Sequence, residues 1–300
     1  MRAVWSSQRR PSTPRSRTPA RPRSLPCVTT DSRDGDGAGA GAYRPAEPAA
    51  YPGAVPEPDA VLTAPPATTR VRWGLGDAAL GWVVGLVGGI ITVNIAVVAS
   101  GADRDDPDSL PIGWVAVAQL GLWVGLLGAP YVAARFKGNG MRRDFGLTAR
   151  WSDAVVGGFA GLVGQFAILW LVYLPMSLLT DVTADEFSEP AQNMADKAVG
   201  PVGAVLLVLV VGIGAPIAEE IFYRGLVQRS LIRRVGVPWG IAITSVLFAA
   251  THFQLLQLPA LALAGALFGV LAHRAGRLGP AIAAHIVFNM TAVVTLLATS

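Results

Sequence analysis

The chain has 300 residues, of which 52% are hydrophobic and only 15% are charged, whereas an ordinary soluble domain has about 25% charged residues. This composition excludes a typical soluble enzyme and predicts a membrane protein. The single cysteine, Cys27, excludes a disulfide framework and a cysteine-based zinc site, so any metal would need histidine and carboxylate ligands. The net charge of +4 is unevenly spread in a way typical of membrane topology, and we expect no nucleic-acid partner.

Residues 1–72 form a low-complexity tail of proline, arginine, glycine and alanine. The tail lacks the clustered apolar residues that would offset the entropy lost on folding, so we expect it to be disordered. No apolar segment with a cleavage site follows its first arginines, and we therefore predict neither a signal peptide nor a twin-arginine export signal.

Apolar runs take over from Trp73, and a helix that spans a bilayer needs about 20 mostly apolar residues. Seven runs follow, of which the fifth and sixth are short: about 76–100, 112–134, 153–180, 201–222, 238–253, 258–273 and 279–298. The sequence therefore predicts an all-α fold, a polytopic transmembrane helix bundle of about seven helices.

Lysine and arginine concentrate at one end of this predicted bundle. Eleven of them fall there: Arg135, Lys137, Arg142, Arg143, Arg150, Arg224, Arg229, Arg233, Arg234, Arg274 and Arg277. The opposite loops, 101–111 and 181–199, hold only Arg104 and Lys197 among many acidic residues. Because positively charged loops stay in the cytoplasm, we predict an integral membrane protein with a cytoplasmic N-terminus.

The stretch APIAEEIFYRGL, residues 215–226, places two carboxylates within the fourth apolar run and a guanidinium two residues beyond its end. A carboxylate at the bilayer centre costs about 2.5–3.5 kcal/mol on insertion scales, so such residues usually face the bundle interior and serve a function. Glu220 and Arg224 are four residues apart on one helix face, where they can form an ion pair. Glu219 points about 100° away. We therefore predict a structural ion pair and a functional role for Glu219.

Three residues just before these charges disfavour a regular helix. Gly212, Gly214 and Pro216 weaken the helical hydrogen-bond ladder, which is tolerated where the backbone faces protein or a wet cavity. The sequence thus predicts an irregular helix next to the charged residues.

All three histidines follow residue 250. The stretch FAATHF places His252 at the end of the fifth helix, where Phe248, one turn earlier, is expected to orient its ring. The stretch AAHIVFN places His285 and Asn289 on one face of the seventh helix, four residues apart. His273, beside two arginines, is interpreted as a juxtamembrane basic residue.

A glutamate, two histidines and an asparagine from three helices can converge in a bundle core, with two chemical uses. Glu219 with His252 can hold a water and take its proton, while an imidazole or amide N–H donates to a developing oxyanion. Alternatively, Glu219, His252 and His285 with an open fourth position match a catalytic zinc site. Both interpretations describe hydrolysis of an acyl bond.

The predicted depths of these side chains in the membrane do not agree with convergence on one point. At about 1.5 Å per residue, Glu219 lies roughly 8 Å inward from Arg224, and His285 roughly 9 Å inward from Gly279. His252, counted from Trp239, lies roughly 20 Å deep. The convergence requires a fifth helix that starts later or is displaced toward the cytoplasm.

Two other classes of protein use similar residues. A proton-coupled transporter would arrange the carboxylates and histidines as a relay, but it is expected to contain an internal repeat, and the two halves show none. A non-catalytic membrane immunity or scaffold protein would keep the fold without turnover. The HExxH and GxSxG signatures of other proteases do not occur.

At these motifs the chain resembles the CAAX-protease and bacteriocin-processing (CPBP) family, also called the type II CAAX prenyl endopeptidase or Abi family of intramembrane proteases. The family pattern EExxxR, FxxxH and HxxxN is met in order by EEIFYR (219–224), FAATH (248–252) and HIVFN (285–289). The resemblance covers about 201–292, which we take as the catalytic transmembrane core, preceded by N-terminal transmembrane helices over 73–200.

The resemblance implies an all-helical membrane peptidase whose site opens from the cytoplasmic side. It implies that Glu219 and His252 activate the water and that His285 and Asn289 stabilise the oxyanion. Glu220 with Arg224 would brace the site. Family members have been described both as metalloproteases and as metal-free, glutamate-dependent proteases.

No cofactor is therefore certain. We favour the metal-free mechanism because asparagine is a poor zinc ligand and a good amide donor, and Zn²⁺ or another divalent metal is the alternative. The expected partners are the lipid bilayer and a membrane-associated protein or peptide substrate. The family's prenyl proteases have eight helices, one more than the seven predicted here. The Ala/Arg/Gly-rich composition indicates a bacterium of high GC content, where CAAX prenylation is not expected and the location would be the plasma membrane.

Overall fold

A computed structural model of the chain describes residues 70–103, 106 and 109–299. Nearly all of the predicted disordered tail lies outside the described residues. Within them the regular elements are helices, which we number α1 (Leu75–Ser100), α2 (Ile112–Lys137), α3 (Met141–Asp144), α4 (Trp151–Leu179), α5 (Ala184–Asp196), α6 (Gly200–Val235), α7 (Val237–Ala250), α8 (Leu258–Ala275) and α9 (Gly279–Thr299). The predicted all-α fold is confirmed.

Six of these helices, α1, α2, α4, α6, α8 and α9, are long and apolar enough to cross a membrane. The fifth predicted span, α7, has only 14 residues. At 1.5 Å per residue it is about 21 Å long, which is less than the roughly 30 Å of a bilayer's hydrocarbon core. The segment 251–257 continues from α7 as turns before α8 begins, and it carries His252.

The fourth predicted span is longer than expected, because α6 continues to Val235. Hydropathy ended it near residue 222, where the arginines begin, and Arg224, Arg229, Arg233 and Arg234 were assigned to a loop. All four are helical, and Arg224 is only 1% exposed. Counting Arg224 among the loop arginines is therefore wrong, whereas its predicted place on one helix face with Glu220 is confirmed.

The greater length of α6 also removes the disagreement between the predicted depths of His252 and Glu219. Gly240 of α7 packs against the backbone of Ile232 in α6, which gives the two helices a common level. His252 lies 12 residues beyond Gly240 and Glu219 lies 13 residues before Ile232. Both are about 18–20 Å from that level, so the two side chains lie at one depth.

The middle of α6 is irregular, as predicted. Two π-helical segments, Val208–Gly214 and Glu220–Val227, flank a single α-helical turn, Ala215–Glu219. Pro216 has no backbone N–H, so the regular i to i−4 ladder is interrupted at this turn. Each π segment widens the helix and rotates the residues that follow it, a change that is frequent at functional sites.

The segment 181–199, expected to be a loop, contains the helix α5. Thr183 and Glu186 form a capping box at its start: the Thr183 hydroxyl accepts from the Glu186 N–H, and the Glu186 carboxylate accepts from the Thr183 N–H. Phe187 is buried, and its carbonyl oxygen accepts a 2.7 Å hydrogen bond from Gln257 Nε2. This bond joins α5 to the segment after α7.

Helices α1 and α2 pack through glycines that allow their backbones to approach closely. Gly125 of α2 is the clearest case, because a Cβ atom there would lie 2.2 Å from both the carbonyl oxygen of Gly81 and the amide nitrogen of Gly85. Gly128, one turn along the same helix, has nothing within 4 Å of the equivalent position.

We expect Gly125→Ala to lower the free energy of unfolding by about 1–3 kcal/mol, the usual cost of overpacking. Gly128→Ala is the matched control and is expected to have no such effect. The thermal unfolding midpoints of both purified variants in detergent measure this. Equal midpoints for the two variants would contradict the proposed close packing.

Candidate active site

Glu220, Arg224 and His285 form a buried charged cluster at the centre of the bundle. Arg224 Nη1 donates a 2.7 Å hydrogen bond to Glu220 Oε1, and both side chains are fully buried. His285 Nδ1 of α9 lies 2.9 Å from the same carboxylate oxygen. The predicted ion pair is confirmed, and the structure adds His285 to it.

Helix α6 also contacts the turn between α8 and α9 at the arginine-rich end. There Arg229 Nη2 donates to the carbonyl oxygen of Gly276, which directly follows α8, over 3.0 Å. The 2.9 Å approach of His285 Nδ1 to Glu220 Oε1 itself shows that α6 and α9 place these two side chains at one level.

Two phenylalanines enclose the Arg224 guanidinium and orient the imidazoles. Arg224 Cζ lies 4.6 Å from the ring centroid of Phe248 and 5.4 Å from that of Phe268. Phe268 stacks on His285 with centroids 4.5 Å apart, and Phe248 meets the His252 ring edge to face at 4.8 Å. The predicted contact of Phe248 with His252 is confirmed. Phe268, which comes from α8, was missed because nothing in its local sequence distinguishes it from an ordinary packing residue.

Glu219 is the less constrained of the two adjacent glutamates. Its one ion-pair contact within the described part of the chain is with His285 Nε2, which lies 3.9 Å from Glu219 Oε2. Its side chain is 17% exposed, whereas that of Glu220 is fully buried. The carboxylate of Glu219 is therefore available to a water or a substrate.

His252 has one ring nitrogen fixed and one available. Its Nδ1 lies 2.8 Å from the carbonyl oxygen of Phe248. Because a carbonyl oxygen can only accept, Nδ1 must carry the proton of this hydrogen bond. In the neutral ring, Nε2 is then unprotonated and can accept a proton.

Asn289 is held by the irregular part of α6. Its Nδ2 donates a 2.9 Å hydrogen bond to the carbonyl oxygen of Val211, which belongs to the first π-helical segment. An amide nitrogen has two N–H groups, so one remains for a further acceptor. The widened turn thus fixes the orientation of this side chain.

One cavity of about 420 Å³ is lined by Glu219, His252, His285 and Asn289. The structure therefore brings all four predicted residues to one space. A second cavity of about 450 Å³, against α1 and α2, is lined by Glu219 and His252 but by neither of the other two residues. Glu219 and His252 thus lie at the junction of two cavities.

The first cavity, which we call the inner cavity, is covered by α5. Pro190, Ala191 and Met194 of that helix line it, together with Leu296 near the end of α9. These residues lie at the end of the bundle opposite the arginine-rich end. None of the arginines lines either cavity. The resemblance implied an opening at the arginine-rich end, whereas the inner cavity extends toward the other end.

Three glutamines that the sequence analysis missed also line the inner cavity: Gln119 of α2, Gln165 of α4 and Gln254 after α7. The Oε1 atom of Gln165 is buried without a hydrogen-bond partner among the described residues. An isolated amide within an apolar run was the available signal, because polar groups at this depth are usually functional.

The predicted metal ligands do not form a cluster in the described part of the chain. There, no group of three or more His, Cys, Asp and Glu side chains is placed to hold a metal ion. The Nδ1 atoms of His285 and His252 are already committed to Glu220 and to the Phe248 carbonyl. The metal-dependent alternative stays a prediction, and we derive no catalytic step through a metal.

Comparison with known protein families matches part of the chain. Residues 201–291 match the family model described as Rce1-like, type II CAAX prenyl endopeptidase Rce1-like. Comparison with curated proteins found no match, and comparison with solved structures found none either. The matched segment contains the three motifs, and with the six apolar helices it indicates an integral membrane protein. Over residues 201–291, about a third of its length, the chain is therefore similar to the family of type II CAAX prenyl endopeptidases.

Proposed function

We propose that this chain is an intramembrane endopeptidase that hydrolyses a peptide bond of a membrane-associated protein or peptide, with a water activated by Glu219 and His252. The observation that carries the proposal is the position of these two side chains at the junction of two cavities. A peptide crossing the junction would lie in both cavities, with its scissile bond beside the pair. The family supports a CAAX-type endopeptidase in general.

In this mechanism, Glu219 and the unprotonated Nε2 of His252 hold the water and accept its proton as its oxygen attacks the scissile carbonyl. The bond from carbonyl carbon to nitrogen then breaks. The proton taken from the water passes to the leaving amine, so that the residues return to their starting state.

The oxyanion formed by the attack needs hydrogen-bond donors. The free N–H of Asn289 Nδ2 is one. Because the Glu220 carboxylate accepts from Nδ1, His285 Nε2 is the other donor in the doubly protonated ring. Glu220 and Arg224 then act as supports that hold His285 in position.

The most direct experiment compares the membrane and secreted peptidomes of cells that express the wild-type chain or Glu219→Ala. We expect an uncut precursor to accumulate only with the variant. Glu189→Ala, which removes an exposed carboxylate of α5, is the matched control. Unchanged processing by a normally folded Glu219→Ala protein would contradict the proposal, and full complementation by it would favour an immunity or scaffold role.

Gln165 offers a finer prediction about substrate binding. Gln165 lines the inner cavity and its Oε1 has no hydrogen-bond partner among the described residues, so we propose that it accepts from a substrate backbone N–H. We expect Gln165→Leu to lower kcat/KM by about tenfold or more, because a lost buried hydrogen bond costs about 1–3 kcal/mol. The thermal midpoint should not fall, because the variant also removes an unpaired polar atom. Wild-type kcat/KM in the variant would contradict this role.

We further propose that catalysis needs no metal. The amide of Asn289 and the fixed Nδ1 atoms of both histidines support hydrogen-bond catalysis. Cleavage by the purified protein should therefore survive dialysis against a strong chelator. Activity that is lost on chelation and restored by Zn²⁺ would overturn this part of the proposal and favour Glu219, His252 and His285 as ligands.

We also propose that the arginine-rich end lies in the cytoplasm of a bacterial plasma membrane, which would direct the inner cavity toward the outer side. Since Cys27 is the only cysteine, a Cys27→Ser background allows single-cysteine labelling. A membrane-impermeant maleimide should label Asp185→Cys in intact spheroplasts, and should label Arg142→Cys only after lysis. The reverse pattern would overturn the orientation.

A further inference from the structure

A third cavity, of about 380 Å³, lies at the arginine-rich end of the bundle. It is lined from the entry to α1 by Trp73, from α3 by Arg143 and Asp144, and from α6 by Arg229 and Arg233. We call it the basic cavity. Glu219, His252, His285 and Asn289 do not line it, so it is separate from the candidate active site.

Positive charge dominates the basic cavity. Arg143, Arg229 and Arg233 face a single carboxylate, that of Asp144. This carboxylate accepts hydrogen bonds from Trp73 Nε1 and from the backbone and side-chain amides of Asn139. Among the described residues, no carboxylate lies within ion-pair distance of any of the three guanidiniums.

Backbone carbonyls hold two of the guanidiniums in place. Arg229 donates to the carbonyl oxygens of Asp144 and Gly276 over 3.1 and 3.0 Å. Arg233 donates to the carbonyl oxygen of Trp73 over 2.9 Å, and its Cζ lies 3.8 Å from the centroid of the Trp73 ring. A carbonyl fixes the geometry without supplying a negative charge, and each guanidinium has five N–H groups. Oriented donors therefore remain for an anion.

The inner wall of the basic cavity also contains unsatisfied polar atoms. Arg224 and Gln228 line it, at 1% and 2% exposure. Arg224 Nε and Gln228 Oε1 have no hydrogen-bond partner in the described ranges. Both atoms are enclosed by protein and do not open onto the cavity, so the donors available to a bound molecule are those of Arg143, Arg229 and Arg233.

We propose that the basic cavity binds a phosphate-bearing anion, supplied either by an anionic lipid headgroup or by a soluble phosphate. Guanidinium forks match phosphate oxygens in pairs and bind them strongly. Trp73 places the cavity near the membrane interface, where tryptophan is enriched, and basic pockets between transmembrane helices at this level suit anionic headgroups. The anion contacts α3 and α6 and reduces the electrostatic repulsion between the arginines of these two helices.

The test uses the full-length chain, purified in a neutral detergent, with the thermal midpoint as its readout. Phosphatidylglycerol, phosphatidylcholine and inorganic phosphate are added in separate titrations. We expect phosphatidylglycerol to raise the midpoint by several degrees and phosphatidylcholine to have little effect. If inorganic phosphate reproduces the shift and competes with the lipid, the source is a soluble phosphate; if it does neither, the source is the lipid headgroup.

Two neighbouring arginines of α3 provide a matched pair of variants. Arg143 lines the basic cavity, whereas Arg142 does not, and both are exposed. Arg143→Gln should lose at least half of the anion-induced shift, Arg143→Lys should lose less, and Arg142→Gln should keep it all. Equal losses in Arg143→Gln and Arg142→Gln, or equal shifts from both lipids with none from phosphate, would overturn the proposal.

Discussion

Replacing Glu219 by glutamine should reduce cleavage of a membrane substrate by about 10²–10⁴-fold, the usual contribution of a general base. The change keeps the shape of the side chain and removes only its capacity to take a proton. Because the one ion-pair contact of Glu219 within the described residues is the 3.9 Å approach to His285, the thermal midpoint should stay near that of the wild type. Initial rates and midpoints of the purified protein measure both effects.

Comparing the same substitution at Glu220 separates an effect on catalysis from an effect on folding. Glu220→Gln removes a charge that Arg224 and His285 both contact, so it should lower the midpoint as well as the rate. Glu219→Gln should lower the rate alone. A Glu219→Gln protein with wild-type activity, or one that loses activity only in proportion to its folded fraction, would contradict the assigned role.

The second large effect concerns the ion pair itself. Arg224→Leu or Glu220→Leu should each lower the free energy of unfolding by about 3–5 kcal/mol, because each leaves a buried charge without its partner. The double variant should lose less stability than the two single variants lose together, since it leaves neither charge unpaired. Unfolding titrations in mixed detergent micelles measure the three values.

Strict additivity in that cycle would show that the pair contributes nothing as a pair. Arg224 Nη2 also donates to the carbonyl oxygen of Gly265 over 3.0 Å, and its replacement removes this bond too. Glu220→Leu likewise removes the contact with His285. Each single variant therefore loses one contact besides the pair, and only the coupling term of the cycle reports the pair itself.

What the sequence predicts well is what lies within one helix. The Glu220–Arg224 pair follows from a spacing of four residues, and the irregular turn follows from Gly212, Gly214 and Pro216. The contact between His285 and Glu220 could not be predicted, because it depends on how α9 is placed against α6. The catalytic roles of the four predicted residues stay predictions.

Helix boundaries were predicted less well, for a physical reason. Hydropathy ends a span where arginines begin, yet Arg229 and Arg233 extend α6 because neighbouring carbonyl oxygens accept their hydrogen bonds. Hydropathy also predicts a loop for the acidic segment that contains α5, although its capping box and buried Phe187 stabilise a helix. The missed glutamines on α2 and α4 share a space with Glu219 only after these helices have packed.

A single oxygen, Glu220 Oε1, contacts both Arg224 and His285. Any substitution at position 220 alters both contacts at once, so the two cannot evolve independently. The residue at position 219 is not shared between two contacts in this way. A library of variants selected only for accumulation in the membrane should accept many residues at position 219 and almost none at position 220, whereas selection for turnover should fix both. The two adjacent glutamates would then differ in evolutionary history: one kept by the need to fold, the other by the reaction alone.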